Sequence, residues 1–472
     1  MNDDSILARN PLPQRVGFYL HTSWEFEYPF AVRNWKREDF ANWCELMQRL
    51  GMNLLMLWPL VEVLPAPLSA QDEADLRDWK QIVEDAKASG LETWVTLTAN
   101  STTKPEIAAK PSRSRHYYPF RIDVRLDDET ARGEYLAHRA AMLQVLDNAD
   151  GYVTIDGDPG GYPGAKPEAF LQVLQADRAV LNRLGRRDAK IIPWLWCGWG
   201  SDWERNGVWK EPLEPLTAPL LDALKAGREN LAPLEFLPGR SIREGHANGR
   251  ENFEIAERAG VIEESTLLTY EIIEFEPTPP AVAIQFDDIR RVLRQEDLLI
   301  QKSRGLMGNA QQPIMVLPNL YFFARAAADR EYLNREDDDV LSDLAEFLGG
   351  DATLLIPAWD CLRRDLNDLP ADLPQRVRAS QLKAEVARCI PGGPEKYLEI
   401  LSAFVQARIE VLQACQLQDD EAAMATGMSA LEKWWNVHRY VQSGENGEEF
   451  CLEFTDPLLR APLEKRAGKY CA

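Results

Sequence analysis

The chain has 472 residues, 45% hydrophobic and 27% charged, a globular composition long enough for a barrel plus an appended domain. Its net charge of −22 repels phosphate backbones and anionic membrane surfaces, which argues against nucleic acid and membrane partners. No apolar run approaches the roughly 20 residues of a membrane helix, and the acidic start Met1–Asn10 lacks an apolar signal core, so the expected location is cytoplasmic unless a leader has been trimmed.

Seven scattered cysteines without a C-x-x-C read as reduced thiols, in keeping with that location. Across the first 320 or so residues, short β-rich runs alternate with amphipathic helical runs, the pattern of parallel βα units. The first strand is Arg15–Thr22, followed by a helix near Lys36–Leu50 that Gly51 closes. Strand two is Met52–Pro59, with a helix near Asp72–Ser89 closed by Gly90. Strand three is Glu92–Thr98, and a loop of about 30 residues separates it from a helix near Asp128–Asn148; loops that long are usually functional.

Strand four is Gly151–Asp156, followed by a glycine-rich turn and a helix near Pro167–Leu184. Strand five, Lys190–Trp196, leads into a tryptophan-rich loop and a helix near Ala218–Glu229. Strand six is expected at Leu234–Leu237, strand seven at Ser265–Glu271 and, after a helix near Ala281–Leu298, strand eight at Gly305–Ala310. The fold class expected is therefore α/β: a (β/α)8 TIM barrel over residues 1–320 with a helical C-terminal domain over 321–472. In the latter, helical spacing recurs in Asp339–Phe347, Leu382–Cys389, Glu395–Cys415 and Glu421–Val441, with Asp365–Pro374 as a linker. No glycine-rich nucleotide fingerprint supports an open doubly wound sheet.

A (β/α)8 barrel gathers its chemistry at the C-terminal strand ends. Those ends carry His21 and Trp24, Trp58, Asn100, Asp156 and Asp158, Trp194, Trp196 and Trp199, Tyr270 and Glu271, and Asn309 and Gln311. Carboxylates, amides and tryptophans in one place suit a sugar: indole faces stack on its C–H faces, amides bind adjacent hydroxyls, and two carboxylates supply acid and base or nucleophile. Asp156-Gly157-Asp158 followed by Pro-Gly-Gly is the leading catalytic candidate, because two close carboxylates repel and one of them is held protonated. The same triplet in a turn also reads as a backbone-capping pair or a cation loop. The histidines have no metal-ligand spacing, so neither metal nor other cofactor is expected.

At strand eight, Gly305-Leu-Met-Gly-Asn309-Ala-Gln311, then Leu317-Pro-Asn-Leu-Tyr321-Phe-Phe-Ala324, then Tyr332-Leu-Asn334, resembles the end of the barrel in the family 84 β-N-acetylglucosaminidases and in their relatives, the family 20 hexosaminidases and the α-glucuronidases. The resemblance implies a glycosidase. It implies that Asp156 and Asp158 serve acid catalysis and the polarising of a substrate acetamido group, and that Asn309 contacts substrate hydroxyls. Those families carry two adjacent acids, whereas Gly157 separates the two here.

The expectation is thus a glycosidase acting on an N-acetylhexosaminide or a uronic-acid-containing glycan. Asp158 is the general acid, Asp156 the polarising carboxylate or nucleophile, and Glu271 a reserve carboxylate. Homo-oligomerisation is left open. The alternatives are a sugar lyase or isomerase with Asp156, Asp158 and Glu271 as metal ligands, and a catalytically silent carbohydrate-binding protein.

Overall fold

The strands are β1 (Arg15–Leu20), β2 (Leu54–Leu57), β3 (Glu92–Thr98), β4 (Gly151–Ile155), β5 (Lys190–Leu195), β6 (Leu237–Ser241), β7 (Thr266–Tyr270) and β8 (Gly305–Ala310), most of them short runs of buried, β-prone residues. They pair in parallel and close in sequential order, with β1 beside both β2 and β8. A closed parallel sheet has no free edge and is covered on both faces, which is why its strands are continuous apolar runs. The computed structural model describes residues 14–22, 24–115, 121–155, 167–195, 217–241, 251–270, 283–363, 369–439 and 455–468.

Helices α1 (Arg37–Arg49), α2 (Ala70–Ala88), α3 (Glu129–Val145), α4 (Pro167–Arg183), α5 (Thr217–Ala226), α6 (Glu251–Arg258), α7 (Phe286–Gln295) and α8 (Leu317–Ala328) alternate with the strands. The local chemistry of α2 shows why. Ser69 accepts from the Asp72 amide at 3.1 Å and the Asp72 carboxylate accepts from the Ser69 amide at 2.9 Å, a reciprocal capping box. Leu76, Trp79, Ile82, Val83 and Ala86 then recur at helical spacing on the buried face. Gly90 closes the helix at φ 85°, a conformation that costs glycine nothing.

The sixth strand corrects the sequence reading. It runs over Leu237–Ser241, while Leu234 and Phe236 make only isolated bridges, to Ile191 and Ser265. Pro238-Gly239 looks like a strand breaker, yet Pro238 stands in register with Leu195 and the Gly239 carbonyl accepts from the Asn252 side chain at 3.0 Å. Helix α6, ahead of β7, is a further element that the sequence pattern did not announce. The loop after β3 is built rather than irregular. Ser101–Thr103 pairs antiparallel with Arg121–Asp123. Arg115, wholly buried, donates to the carbonyls of Val63, Ala108 and Lys110 and pairs with Asp72 at 2.5 Å.

Beyond α8 the chain is helical: α9 (Asp337–Leu348), α10 (Ala352–Asp360), α11 (Leu373–Ala379), α12 (Gly393–Gln416), α13 (Asp420–His438) and α14 (Pro457–Arg466). The run expected at Leu382–Cys389 is only a 3-10 turn over Glu385–Cys389. The amides of Lys383 and Ala384 donate to the carbonyls of Gly349 and Leu348, at the end of α9, which ties the start of this run to that helix. Part of the expected linker is helical, because Pro374 in the first turn of α11 lacks the amide that a helix start leaves unused. Packing divides the chain into two compact units, one of Met1–Ser23, Met52–Ile272 and Arg291–Asn309, the other of Trp24–Gly51, Ile273–Arg290 and Ala310–Ala472.

Within the first unit, Gly17 permits the approach of β1 to β2: a Cβ there would lie 1.9 Å from the Leu54 carbonyl oxygen. The N-terminal end of the barrel is filled by charge. Glu92 accepts from Arg15 Nε at 2.6 Å, from Lys190 Nζ at 2.5 Å and from the Trp94 indole at 2.8 Å. Glu235 pairs with Arg15 at 2.5 Å and with Arg304 at 2.8 Å. Burial pushes the Glu92 carboxyl upward, but Lys190, Arg15 and the indole outweigh it and leave it below the ordinary carboxylate range.

An acid whose folded value is depressed contributes stability above its unfolded value and loses it as pH falls through the folded value. Glu92→Ala is therefore expected to cost about 2–3 kcal/mol at pH 7, less than a wholly buried pair because Glu92 is in part solvated. Urea denaturation at pH 7 and again below pH ~3, where the cost should largely vanish, measures it.

Candidate active site at the barrel mouth

Side chains alternate across a strand, so one observation fixes which residues of each strand look into the barrel. A Cβ on Gly151 would meet the side chains of Trp94 and Ile192, so the three share one face, and Trp194, two positions after Ile192, meets Tyr19 of the opposite strand, which makes that face the inner one. Continuing toward the C-terminal ends, Thr96 and Thr98 follow Trp94, and Trp194 follows Ile192. On β1, Tyr19 and His21 face inward, and its ring opposes β5 across the barrel: Tyr19 meets Trp194 edge-on at 5.2 Å. Trp58, directly after β2, lies 6.1 Å from Tyr19, 6.2 Å from Trp194 and 5.1 Å from His21. Four rings thus fill the upper interior. Burial drives the His21 imidazole down to about 3, so it is neutral at physiological pH.

The polar inventory does not balance. Both carboxamide atoms of Asn100, both of Asn309 and the Trp58 indole nitrogen are buried and have no hydrogen-bond partner among the described residues. Asn100 and Asn309 are 0% exposed. Each unmet buried group costs roughly 1–3 kcal/mol, and native structures hold few of them. Two intact carboxamides and an indole N–H at the ends of β3, β8 and β2 are thus donors and acceptors left without a partner among the described residues.

The backbone around these groups is firmly held. Thr22 donates its hydroxyl to the Trp58 carbonyl. Leu60, two residues on, has φ 41°, the one non-glycine positive φ among the described residues and a strained turn of the kind that collects at functional sites. The Asn100 carbonyl accepts from Val124 of the hairpin at 2.7 Å, and Thr98 donates its hydroxyl to the Ser101 carbonyl at 3.2 Å.

Outside the ring, Arg139 of α3 forms a two-pronged pair with Asp177 of α4 at 2.7 and 2.8 Å. Its guanidinium also donates to the Thr154 hydroxyl at 2.7 Å and to the Thr98 carbonyl, which Tyr135 reaches as well at 2.7 Å. Burial works against the Arg139 charge, yet Asp177 keeps the guanidinium firmly protonated. Sequence reasoning passed over this quartet. The available signal was a charge at a core position of each helix: Arg139 is buried with Tyr135 and Met142 on α3, Asp177 with Val173 and Val180 on α4.

Of the residues expected at the mouth, His21, Trp58, Asn100, Trp194 and Asn309 are buried in the first unit, the first, second and fourth in ring contact with one another. Trp58 and Trp194 are 2% and 1% exposed, their faces occupied by neighbouring rings rather than presented as an open platform. Trp24 and Gln311 are buried in the second unit. There Gln312 accepts from His438 at 2.6 Å, and His438 is stacked on Phe26 at 4.4 Å. Tyr270 ends β7, and its side chain lies outside the described residues, as do Asp156, Asp158, Trp196, Trp199 and Glu271. Among the described residues no three potential ligands gather as a metal site, and no helix is long and apolar enough to cross a membrane.

No family model and no curated protein matches the chain. Its fold is similar to that of CpGH84D, at 12% identity over 97% of this chain and 75% of that one, with a TM-score of 0.47. It is likewise similar to CpGH84B, at 12% identity over 96% and 77%, with a TM-score of 0.40. A mutant of the Thermobaculum terrenum O-GlcNAc hydrolase aligns at 11% identity over 96% and 94%, with a TM-score of 0.45. These likenesses concern the plan of the fold, a (β/α)8 barrel with a helical extension, which the closed strand order establishes independently.

The chemistry of the mouth makes two outcomes measurable. Asn309→Leu removes an unmet carboxamide, so without ligand it is expected to leave stability unchanged or raise it by about 1 kcal/mol, read as a thermal melting shift. For His21 the folded value lies below the unfolded 6.5, so the unfolded chain binds the extra proton and stability falls as pH drops from ~6.5 toward ~3. His21→Gln is expected to flatten that acid limb by about 1.4 kcal/mol per pH unit, measured by denaturant titration between pH 4 and 7.

Proposed function

We propose that the protein is a glycoside hydrolase-like enzyme whose barrel mouth binds a sugar and whose strand-four segment cleaves its glycosidic bond. What supports this is the set of unmet buried groups, the carboxamides of Asn100 and Asn309 and the N–H of Trp58, the last belonging to a cluster of four aromatic rings. A carboxamide offers a donor and an acceptor a few ångströms apart, the spacing of vicinal hydroxyls, while ring edges and faces suit C–H surfaces. Neutral His21 adds no charge to that surface.

In this reading Asp158 is the general acid and Asp156 the carboxylate that polarises a substrate acetamido group or attacks the anomeric carbon. Glu271 is the reserve carboxylate, and Trp196, Trp199 and Tyr270 form the sugar subsite, with buried Trp194 packed behind it. The two acids come directly after β4 in sequence, and the C-terminal ends of the strands are where barrel enzymes carry their chemistry. The substrate is an N-acetylhexosaminide or a uronic-acid-containing glycan.

Asp156→Asn and Asp158→Asn, assayed with a panel of aryl glycosides, are each expected to lower kcat by about 10²–10⁴-fold. Asn309→Ala should weaken substrate capture by about tenfold, the effect of one lost hydrogen-bonding group. Unchanged turnover in both aspartate variants removes the assignment. Glycan binding without turnover by the unaltered protein indicates a silent binder, and loss of turnover on chelation with EDTA indicates a metal-dependent lyase or isomerase.

A further inference from the structure

We propose that Arg139, held by Asp177, is a positioning residue that sets the geometry of the barrel mouth at β3 and β4, a role that rests on the mouth being a glycan site. Arg139 and Asp177 are 1% and 2% exposed at their side chains, so the pair is made in the interior, where taking two charges out of water offsets most of their attraction. Such a pair adds little net stability against an apolar pair of similar volume. What it adds is placement, and the placement here is specific.

Three nitrogens of one planar fork serve three acceptor groups. Nε and Nη2 hold the two Asp177 oxygens at 2.7 and 2.8 Å, Nη2 also holds the Thr154 hydroxyl at 2.7 Å, and Nη1 holds the Thr98 carbonyl. Thr98 is the last residue of β3 and stands in register with Ile155, the last residue of β4. The Tyr135 hydroxyl takes the second lone pair of the same Thr98 carbonyl at 2.7 Å. The outer helices α3 and α4 thereby grip the last residue of β3 and the next-to-last of β4.

The candidate chemistry begins immediately beyond this grip. Asn100 comes two positions after Thr98, buried and with its carboxamide unmet. Asp156 comes next after Ile155 in sequence. The neighbouring strand pair shows the same construction with a different side chain: Asn252 of α6 donates to the carbonyls of Leu195, at the end of β5, and Gly239 of β6, at 3.2 and 3.0 Å. Single polar side chains from the helix layer therefore tie neighbouring strands together, and Arg139 is the member of this set that holds the strand end leading into Asn100. A displacement of about 1 Å at such a point is enough to cost a catalyst two orders of magnitude.

The test uses Arg139→Met with Asp177→Leu, which removes the pair without stranding either charge, and Arg139→Lys, which keeps the charge and loses the fork. Hydrogen–deuterium exchange is read at Thr98–Thr103 and Gly151–Ile155, with Thr266–Thr269 and Gly305–Gly308 as internal references. In the double variant, exchange is expected to rise at least tenfold at the first two segments and to stay unchanged at the references, with the lysine variant between. On any aryl glycoside that the unaltered protein cleaves, kcat is expected to fall about 10²-fold with KM moving less than threefold. Unchanged exchange at β3 and β4, or a rise shared equally by the reference strands, overturns the proposal, the latter by showing a general loss of stability. If the unaltered protein cleaves no glycoside, the glycosidase reading fails, while the exchange pattern still decides what Arg139 positions.

Discussion

Tyr19 touches Trp194 across the width of the strand ring, and much else depends on that contact being possible. A closed barrel survives only if its lumen is filled, because a void forfeits the dispersion contacts that hold the ring. This chain fills the lumen in zones. Ion pairs of Arg15, Glu92, Lys190, Glu235 and Arg304 occupy the N-terminal end, and aliphatic chains with Trp94 occupy the layer above. The rings of Tyr19, His21, Trp58 and Trp194 take the upper interior. Gly17 matters for the same reason, since β1 can lie against β2 only where no Cβ intervenes.

The zoning assigns different work to the two ends. At the N-terminal end these charges meet opposite ones, so that end favours stability. At the C-terminal end the carboxamides of Asn100 and Asn309 are buried and unmet. A fold tolerates that deficit where function requires it, and the surrounding order is compensating: the hairpin holds the Asn100 carbonyl, Thr22 holds the Trp58 carbonyl, and Arg139 holds Thr98 and Thr154. On the proposed reading, unmet side chains on a fixed backbone form a preorganised site, in which the ordering cost is met before a ligand arrives.

The sequence made the barrel legible because its strands are short apolar runs bounded by glycine-closed helices, and β3 and β8 lie at the residues expected. It failed where a residue's usual meaning was overridden by its neighbours. Pro238-Gly239 reads as a break, but Asn252 and Leu195 accommodate both residues inside β6. Leu382–Cys389 has a helical pattern, but its start is tied to the end of α9 and only a 3-10 turn follows. The mouth was half legible: Asn100, Asn309 and Trp58 could be found as strand-end polar or aromatic residues. The Arg139–Asp177 pair could not, because residues 38 positions apart on two helices meet only once both helices stand over the same pair of strands.

The second unit carries a consequence for how the chain folds. It is assembled from three separate stretches, the first of which is Trp24–Gly51. Within it Glu27 binds Arg439, Asp39 binds the Gly392 amide and Glu45 binds Arg388, contacts 412, 353 and 343 residues apart. During synthesis the early stretch is made, and β2 to β8 emerge after it from the ribosome, long before its partners exist. Closing loops of that length is an entropic and kinetic burden. The unit can therefore reach its final packing only after nearly all of the chain has been released, and the apolar faces of α1 must wait through that interval, a window in which a chaperone has something to hold.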